Sequence, residues 1–271
     1  MAGNEGHQPQ TGADEGPKPL GQEAPQIVAD AAAIGAKRLR RPVTGDAITA
    51  LIGGMSVSFG AVAAAWASAS VSGGAQIAAA LAFPVGFLIL LVGKSELFTE
   101  NFFLPVTGVL EGRGTVRQLG ELWIVSLAAN LVGALIFASL ISRPGVLDHG
   151  PAQELVDLAT RKVGAPFEAA FVQAIFAGWL MTMLTWLLVA AEGFGPRLFI
   201  IWTMGALIVL GQFNHVVISA AECFMALLLG APFSLADWFD RNFLPALAGN
   251  MVGGLVFVTL LHRVQARHHE A

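Results

Sequence analysis

The chain contains a single cysteine, Cys223, among its 271 residues. A disulfide within one chain and a metal site built from several thiolates are therefore excluded. The sequence also lacks a phosphate-binding loop, a nucleophile at a suitable spacing from a base, and a cluster of metal-ligating residues. We therefore predict that the protein is not an enzyme and needs no cofactor.

Charge is scarce as well. Asp, Glu, Lys and Arg together make up 13% of the chain, well below the roughly 25% that is usual in soluble domains. No basic face appears, so we expect no nucleic-acid partner. Hydrophobic residues instead make up 55% of the chain, and the mean hydropathy is +0.67. This composition predicts an integral membrane protein surrounded by the lipid bilayer.

A membrane-spanning helix needs about 20 apolar residues. The chain has six such stretches, near residues 47–70, 75–108, 119–141, 167–190, 197–229 and 241–262. We predict an all-α channel domain of six transmembrane helices over residues 45–262. Residues 1–44 are rich in Gly, Pro, Gln, Glu and Ala, and we expect them to form a disordered cytoplasmic tail. Residues 263–271 are expected to form a second, short cytoplasmic tail.

The distribution of positive charge predicts the topology. With the amino terminus in the cytoplasm, ten Lys and Arg residues lie inside and four lie outside. Because basic loops favour the cytoplasmic side, both termini are expected there, in a multi-pass protein of the inner (plasma) membrane.

An internal repeat relates the two halves of the chain. A shift of 120 residues places Leu127–Phe137 on Leu247–Phe257, with seven of eleven positions identical. If each half, 45–141 and 167–262, carries three spans, the second half enters the membrane inverted relative to the first. Such repeats commonly build a transport path at their interface. Small residues in this stretch, Gly133, Gly249 and Gly253 among them, predict close helix packing. Asn130 and Asn250, which coincide in the alignment, are expected to form hydrogen bonds between neighbouring helices.

Each half also carries a polar interruption within a long apolar stretch, at residues 93–101 and 211–219. Unpaired polar groups at this depth are tolerated only inside the protein or along a water-filled path. The pattern therefore predicts that the second and fifth helices are broken. The half-helix after each break presents the positive end of its dipole, which favours an anionic substrate. The polar residues concerned are Lys94, Ser95, Glu96, Thr99, Glu100 and Asn101 in the first half, and Gln212, Asn214, His215 and Ser219 in the second.

At these positions the sequence resembles the formate/nitrite transporter family. The resemblance rests on Glu96-Leu97-Phe98-Thr99, on His215, and on the closing stretch 242–254. It implies an aquaporin-like protomer, a homopentamer with one path per subunit, and passage of small monovalent anions or their conjugate weak acids.

The resemblance also implies roles for individual residues. Thr99 and His215 would meet at the centre of the path, and Leu97 with Phe98 would form an apolar constriction. Phe213 would narrow the path or fill the core. Lys162 would lie in the outer vestibule, sixteen residues before Gly178, a position at which the family has asparagine.

The chain departs from the family at three further positions. Asn214 replaces a glutamate, Ser219 replaces an asparagine, and Lys94 replaces a small residue. Lys94 is either a fixed positive charge on the anion route or, as we expect, an ion-pair partner of Glu96 or Glu100. Glu96 is expected to anchor the loop through backbone N–H groups, and Asn101 and Ser219 are assigned to the loop structure.

These residues predict a mechanism. An anion attracted by Lys162 would be neutralised by protonation near His215, because a bare charge crosses an apolar constriction only at high cost. The proton would come from His215, whose side chain ordinarily titrates near physiological pH, or would be taken up as the anion reaches the dry region. Alternatively, His215 ties the broken helix together by bonding to backbone carbonyls, and Thr99 caps the second half-helix.

Two other functions stay open at this point. The protein could be a pore for small neutral solutes, because Gly178 and Asn214 lower the local polarity and charge. It could also be a transport-inactive membrane scaffold or sensor, which the long amino-terminal tail favours.

Overall fold

The protein is described by a computed structural model that covers residues 21–269, and every regular element in that range is a helix. The α-helices are α1 (Ala24–Leu39), α2 (Val43–Ala69), α3 (Ala75–Ala82), α4 (Pro84–Val92), α5 (Leu104–Leu110), α6 (Val116–Ile141), α7 (His149–Gly164), α8 (Phe167–Ala190), α9 (Phe194–Leu210), α10 (Val216–Leu228), α11 (Leu235–Trp238), α12 (Leu244–Gly254) and α13 (Leu261–His269). A 3₁₀ turn, Phe98–Phe102, precedes α5, and π-helical segments Phe239–Phe243 and Leu255–Leu260 flank α12.

Within the described range, five helical stretches are long and apolar enough to cross a membrane. They are α2, α3 together with α4, α6, α8, and the continuous stretch from α11 to α13. The remaining apolar stretch expected from the sequence, residues 197–229, is divided between the shorter helices α9 and α10. The expected all-helical architecture is therefore present.

The amino-terminal segment differs from the expected disordered tail. Residues 1–20 lie outside the described range, but Ala24–Leu39 form α1, which packs against α5. Ile27, Val28 and Ala31 are buried in a cluster with Leu104. They lie on one face of the helix, since apolar positions three or four residues apart share a face. The Gly- and Pro-rich residues before α1 dominate the composition of the first 44 residues and mask this stripe.

Glycines allow α8 and α12, and likewise α2 and α6, to approach each other closely. Gly178 of α8 faces the backbone of Asn250 in α12, and Gly253 of α12 faces the carbonyl of Ile175 in α8. Gly133 of α6 makes the same kind of contact with Leu51 of α2. A Cβ at any of these positions would overlap a backbone oxygen, so the close packing predicted from the repeat is confirmed.

The carboxy-terminal helix α13 is attached to the rest of the protein by a polar contact. Arg263 donates from Nε to Glu111 at 2.9 Å and from a terminal nitrogen to the Leu110 carbonyl at 3.1 Å. Ala266 is buried in the same cluster as residues of α1. The expected carboxy-terminal tail is thus helical as far as residue 269.

Candidate functional site

Helices α4 and α9 end in the same way. Gly93 and Gly211 are followed by Lys94 and Gln212, the two non-glycine residues with positive φ in the described range, at 61° and 52°. In each case the next amide bonds to a carbonyl five residues earlier: Ser95 to Leu90, and Phe213 to Ile208, both at 3.0 Å. This is a helix-terminating Schellman motif, and it turns the chain out of the helix at both interruptions.

Asn130 of α6 stabilises the extended segment that follows α4. Its Oδ1 accepts the Phe98 N–H at 2.8 Å, and its Nδ2 donates to the Glu96 carbonyl at 3.0 Å and to Ala50 of α2 at 2.6 Å. One side chain thus satisfies backbone groups on both sides of Leu97, which would otherwise be buried without partners.

Asn250 of α12 does the same for the second interruption. Its Oδ1 accepts the Val216 N–H at 2.9 Å, and its Nδ2 donates to the Asn214 carbonyl at 3.0 Å and to Ala174 of α8 at 2.8 Å. The residue enclosed by this clamp is His215. The expected interhelical role of both repeat asparagines is therefore confirmed, and the two clamps place an apolar residue, Leu97, and a polar one, His215, at corresponding positions.

The two interruptions meet through Thr99 and His215. Thr99 Oγ1 and His215 Nε2 are 2.8 Å apart, and both side chains are fully buried. His215 Nδ1 accepts the N–H of Ile218 at 3.3 Å, which caps the start of α10. Because Nδ1 is an acceptor, the proton of the neutral ring lies on Nε2, which donates to Thr99. The ring therefore bonds to a backbone N–H and not to the backbone carbonyls considered from the sequence.

The apolar residues of the first motif are buried as well. Leu97 and Phe98 are 0% and 2% exposed, and the Phe98 ring packs edge-on against Phe102 with centroids 4.9 Å apart. Phe213 lies nearer the surface, where it stacks on Phe176 at 5.3 Å and contributes to the wall of a cavity.

That cavity has a volume of about 380 Å³ and is enclosed by α2, α3, α7, α9 and α10. Its walls are apolar apart from a few polar side chains: Ser68, Gln76, Glu154, Arg161, Lys162, Gln212 and Glu222. Ile218 also contributes to the wall, and its backbone N–H is bonded to His215. The cavity therefore approaches the buried pair from the α7 side.

Lys162 reaches α10 from α7. Its ammonium group forms an ion pair with Glu222 and donates to Ser219 Oγ at 3.3 Å. Ser219 in turn donates to Asn214 Oδ1 at 2.6 Å, and Asn242 Nδ2 donates to the same oxygen at 3.3 Å. A chain of hydrogen bonds thus connects the cavity wall with the residue that precedes His215.

A second charged cluster, which was not expected from the sequence, lies beside the first interruption. Arg38 of α1 pairs with Glu96 at 3.2 Å and with Glu100 at 3.4 Å, and donates to Asn101 at 2.9 Å. Arg41 pairs with the same oxygen of Glu96 at 2.9 Å. Burial disfavours the charged form of Arg41, but its hydrogen bond to Glu96 and the negative charge of that residue outweigh this and raise its pKa. The basic run at the end of α1 was the available signal, but it gave no indication of its partners.

Two expectations for loop residues are corrected by these contacts. The side chain that accepts a backbone N–H is Glu100, from Leu97 at 3.0 Å, whereas the Glu96 carboxylate pairs with arginines. Lys94 does not pair with either glutamate in the described part of the chain, and its side chain is exposed. The planar guanidinium of Arg38 supplies several donors in a fixed geometry, which here bond to both carboxylates and to Asn101.

Gly178 also lies elsewhere than expected. It faces the Asn250 backbone at the α8–α12 contact and is not part of the cavity wall. Its small size serves helix packing, since a larger residue would push α8 away from α12, the helix that carries Asn250.

The left-handed conformation of Lys94 allows a stability prediction. Glycine at this position should raise the free energy of unfolding by about 0.5–1 kcal/mol, because the strain of a side chain at positive φ exceeds the extra entropy of glycine in the unfolded chain. Thermal unfolding of the purified protein would measure the change. Lys94→Ala is the control: it keeps the strain and should be neutral, whereas a loss of stability would show that the lysine charge is paired after all.

Apolar spanning helices around a buried polar pair at the junction of two interruptions define a membrane transporter or channel. The description "Formate/nitrite transporter" belongs to the family model that matches residues 25–264. The chain belongs to this family, and the resemblance based on Glu96-Leu97-Phe98-Thr99 and His215 is confirmed.

Relatives agree with this assignment. The uncharacterized transporter YrhG of Bacillus subtilis is 27% identical over 251 residues, covering 88% of this chain and 91% of that protein. A probable formate transporter of Methanothermobacter thermautotrophicus is 30% identical over 197 residues, covering 66% and 71%. For formate-nitrite transporter 3 of Toxoplasma gondii, 30% identical over 174 residues, the match spans only 35% of the relative's length.

Two solved structures share the fold. One, described as an FNT family ion channel, superposes with a TM-score of 0.82 at 20% identity and covers 89% of this chain and 98% of its own. The other, described as a pentameric formate channel with formate bound, gives a TM-score of 0.69 at 20% identity and covers 82% and 97%.

Proposed function

We propose that this protein is a channel or transporter for small monovalent anions of the formate/nitrite type, or for their conjugate weak acids. The observation that carries the proposal is the Thr99–His215 hydrogen bond of 2.8 Å, which joins the two interruptions at a fully buried position. Family membership and the relatives described as formate channels or transporters support the same substrate class.

The architecture we propose has six spans arranged as an inverted three-plus-three repeat, with the second and fifth broken. In support, α4 and α9 end in matching motifs and Asn130 and Asn250 hold the segments after them in the same way. Each subunit of a homopentamer would then carry one path, and the solved structure described as a pentameric formate channel, which shares this fold, supports the pentamer. Both termini would face the cytoplasm across the inner membrane, as the positive charges of the loops favour.

The substrate would cross the buried region in its neutral form. The pair, Leu97 and Phe98 are all buried, and an unpaired charge is costly in such surroundings. The contacts of His215 assign it a neutral ring, in which Nδ1 accepts the Ile218 N–H and the single proton lies on Nε2, so the ring in this state is not an acid that protonates the anion. We therefore assign His215 and Thr99 the role of hydrogen-bonding partners, with the proton arriving from the cavity together with the anion.

Flux measurements in liposomes test this function. Purified protein should carry formate and nitrite, and formate flux should rise by up to about tenfold for each unit of pH lowered, because the neutral fraction of a carboxylic acid rises by that factor above its pKa near 4. Protein-free liposomes provide the background. If the protein conducts neither anion between about pH 5 and pH 8, the proposal is wrong.

A pore for neutral solutes is the second candidate. It is favoured by Asn214, which places an amide, not a carboxylate, beside His215, and by the neutral state of the buried pair. Osmotic swelling with small uncharged solutes that is fast and independent of pH would support it over the anion channel.

A further inference from the structure

The cavity wall contains two neighbouring basic residues, Arg161 and Lys162, near the end of α7. Only Lys162 was considered from the sequence. Their surroundings differ, and the two side chains therefore have different roles.

Lys162 is committed to the protein itself. Its side chain is 14% exposed and pairs with Glu222, which is 6% exposed, while a second bond reaches Ser219. An ammonium group that compensates a buried carboxylate adds little net charge to the cavity, and withdrawing it would leave Glu222 buried without a partner. Its contacts hold α7 against the start of α10.

Arg161 is available to a ligand. Its side chain is exposed, lines the cavity and forms no ion pair within the described part of the chain. The other acidic residue of the wall, Glu154, accepts a hydrogen bond from Ser68 at 2.9 Å. Glu154 lies seven residues earlier on α7, which corresponds to about 10 Å along the helix axis. The cavity therefore has an acidic end near the end of α2 and a guanidinium at the other.

We infer that Arg161 is the anion-capturing group of this cavity and that it selects planar anions with two oxygens, such as carboxylates and nitrite, over single-atom or monodentate anions. A guanidinium presents two parallel N–H donors that match two oxygens of one anion, whereas an ammonium offers a point charge. Lys162 then acts as a positioning residue for α10. This assignment rests on the proposed function and adds to it the group that first binds the substrate.

The test compares formate with hydrosulfide. Hydrosulfide has no pair of oxygens to accept the two parallel N–H donors of a guanidinium. Arg161→Gln should raise the formate concentration for half-maximal flux by about tenfold, as expected for the loss of a charge-assisted bidentate contact. Arg161→Lys keeps the charge. It should raise the formate concentration for half-maximal flux by several-fold, while that for hydrosulfide stays within about two-fold of the wild-type value. Glu154→Gln removes a charge that repels anions and keeps an acceptor for Ser68. It should lower the formate concentration for half-maximal flux.

Arg143→Gln is the matched control, because Arg143 is exposed in the loop between α6 and α7 and does not line the cavity. It should behave as the wild type. If Arg161→Gln stays within about two-fold of the wild type for formate, the inference is overturned while anion transport stands. If Arg161→Lys affects both anions equally, selection by the fork is overturned. If the wild type carries no anion, the proposed function fails first and this inference with it.

Discussion

Replacing Arg38 by methionine should lower the free energy of unfolding by about 3 kcal/mol, because it leaves the buried carboxylate of Glu100 without an ion-pair partner and removes one of the two partners of Glu96. Glu100 is the more affected of the two, since its side chain is 6% exposed and Arg38 is its ion-pair partner. Glu96 keeps Arg41 at 2.9 Å. Methionine retains much of the apolar stem of arginine, so the change mainly reports the lost charge and hydrogen bonds. Thermal unfolding in detergent measures the loss, and limited proteolysis after α1 reports its release from α5.

Two variants separate this effect from a general loss of charge. Lys37→Met alters the exposed neighbour of Arg38 and should unfold as the wild type does. Adding Glu100→Gln to Arg38→Met should restore more than half of the lost stability, because glutamine can still accept the Leu97 N–H without carrying a buried charge. An Arg38→Met protein as stable as the Lys37→Met control would show that the contacts of Arg38 do not hold this loop.

The sequence indicates where α4 and α9 end, for a physical reason. Polar residues such as Lys94, Ser95 and Gln212 inside apolar stretches have no other explanation at membrane depth, so their positions predict where the helices end. The repeat adds Asn130 and Asn250, whose equivalence follows from the 120-residue shift. Their interhelical bonds could therefore be expected, although the clamping of Leu97 and His215 could not.

The pattern of apolar and polar residues does not predict contacts between elements that are far apart in the sequence. Arg38 and Glu100 are 62 residues apart in the chain, and no local periodicity relates them. Lys94, which is closer in sequence to the same carboxylates, was the more obvious partner, yet the turn at φ 61° leaves its side chain exposed. For Gly178, the sequence records a small residue but not which face of the helix it occupies. Only the neighbouring backbone of Asn250 reveals that the reason is packing.

Two basic residues that are adjacent in sequence have different partners at the cavity. Arg161 and Lys162 are adjacent and of like charge, and family resemblance directed attention to the lysine. In the structure, both residues line the cavity, but only Lys162 forms an ion pair with a carboxylate of α10, that of Glu222. Whether a charge is available to a ligand depends on its partners, which the fold brings together.

Replacing His215 by asparagine should reduce formate flux by about 10- to 100-fold while leaving the fold intact. The reduction follows from the loss of the Nε2–H donor at the buried pair, since a polar group of the permeating acid left there without a hydrogen-bond partner costs roughly 1–3 kcal/mol. The fold should survive because asparagine is a preferred residue at a helix start, and its Oδ1 can accept the Ile218 N–H as His215 Nδ1 does at 3.3 Å. Flux in liposomes and thermal unfolding, measured on the same preparation, report the two properties separately.

His215→Leu distinguishes the two roles of the ring from the other direction, because it removes both the donor to Thr99 and the acceptor for Ile218. It should lose transport as the asparagine variant does and also lose stability, by about 1 kcal/mol for the missing cap. Thr99→Val removes the other partner of the pair and leaves the Nε2–H in place, so its effect on flux should be smaller than that of His215→Asn. Full formate flux in a stable His215→Asn protein would mean that the histidine only begins α10, and the permeating acid would then have to cross between Leu97 and Phe98 without a polar partner at this depth.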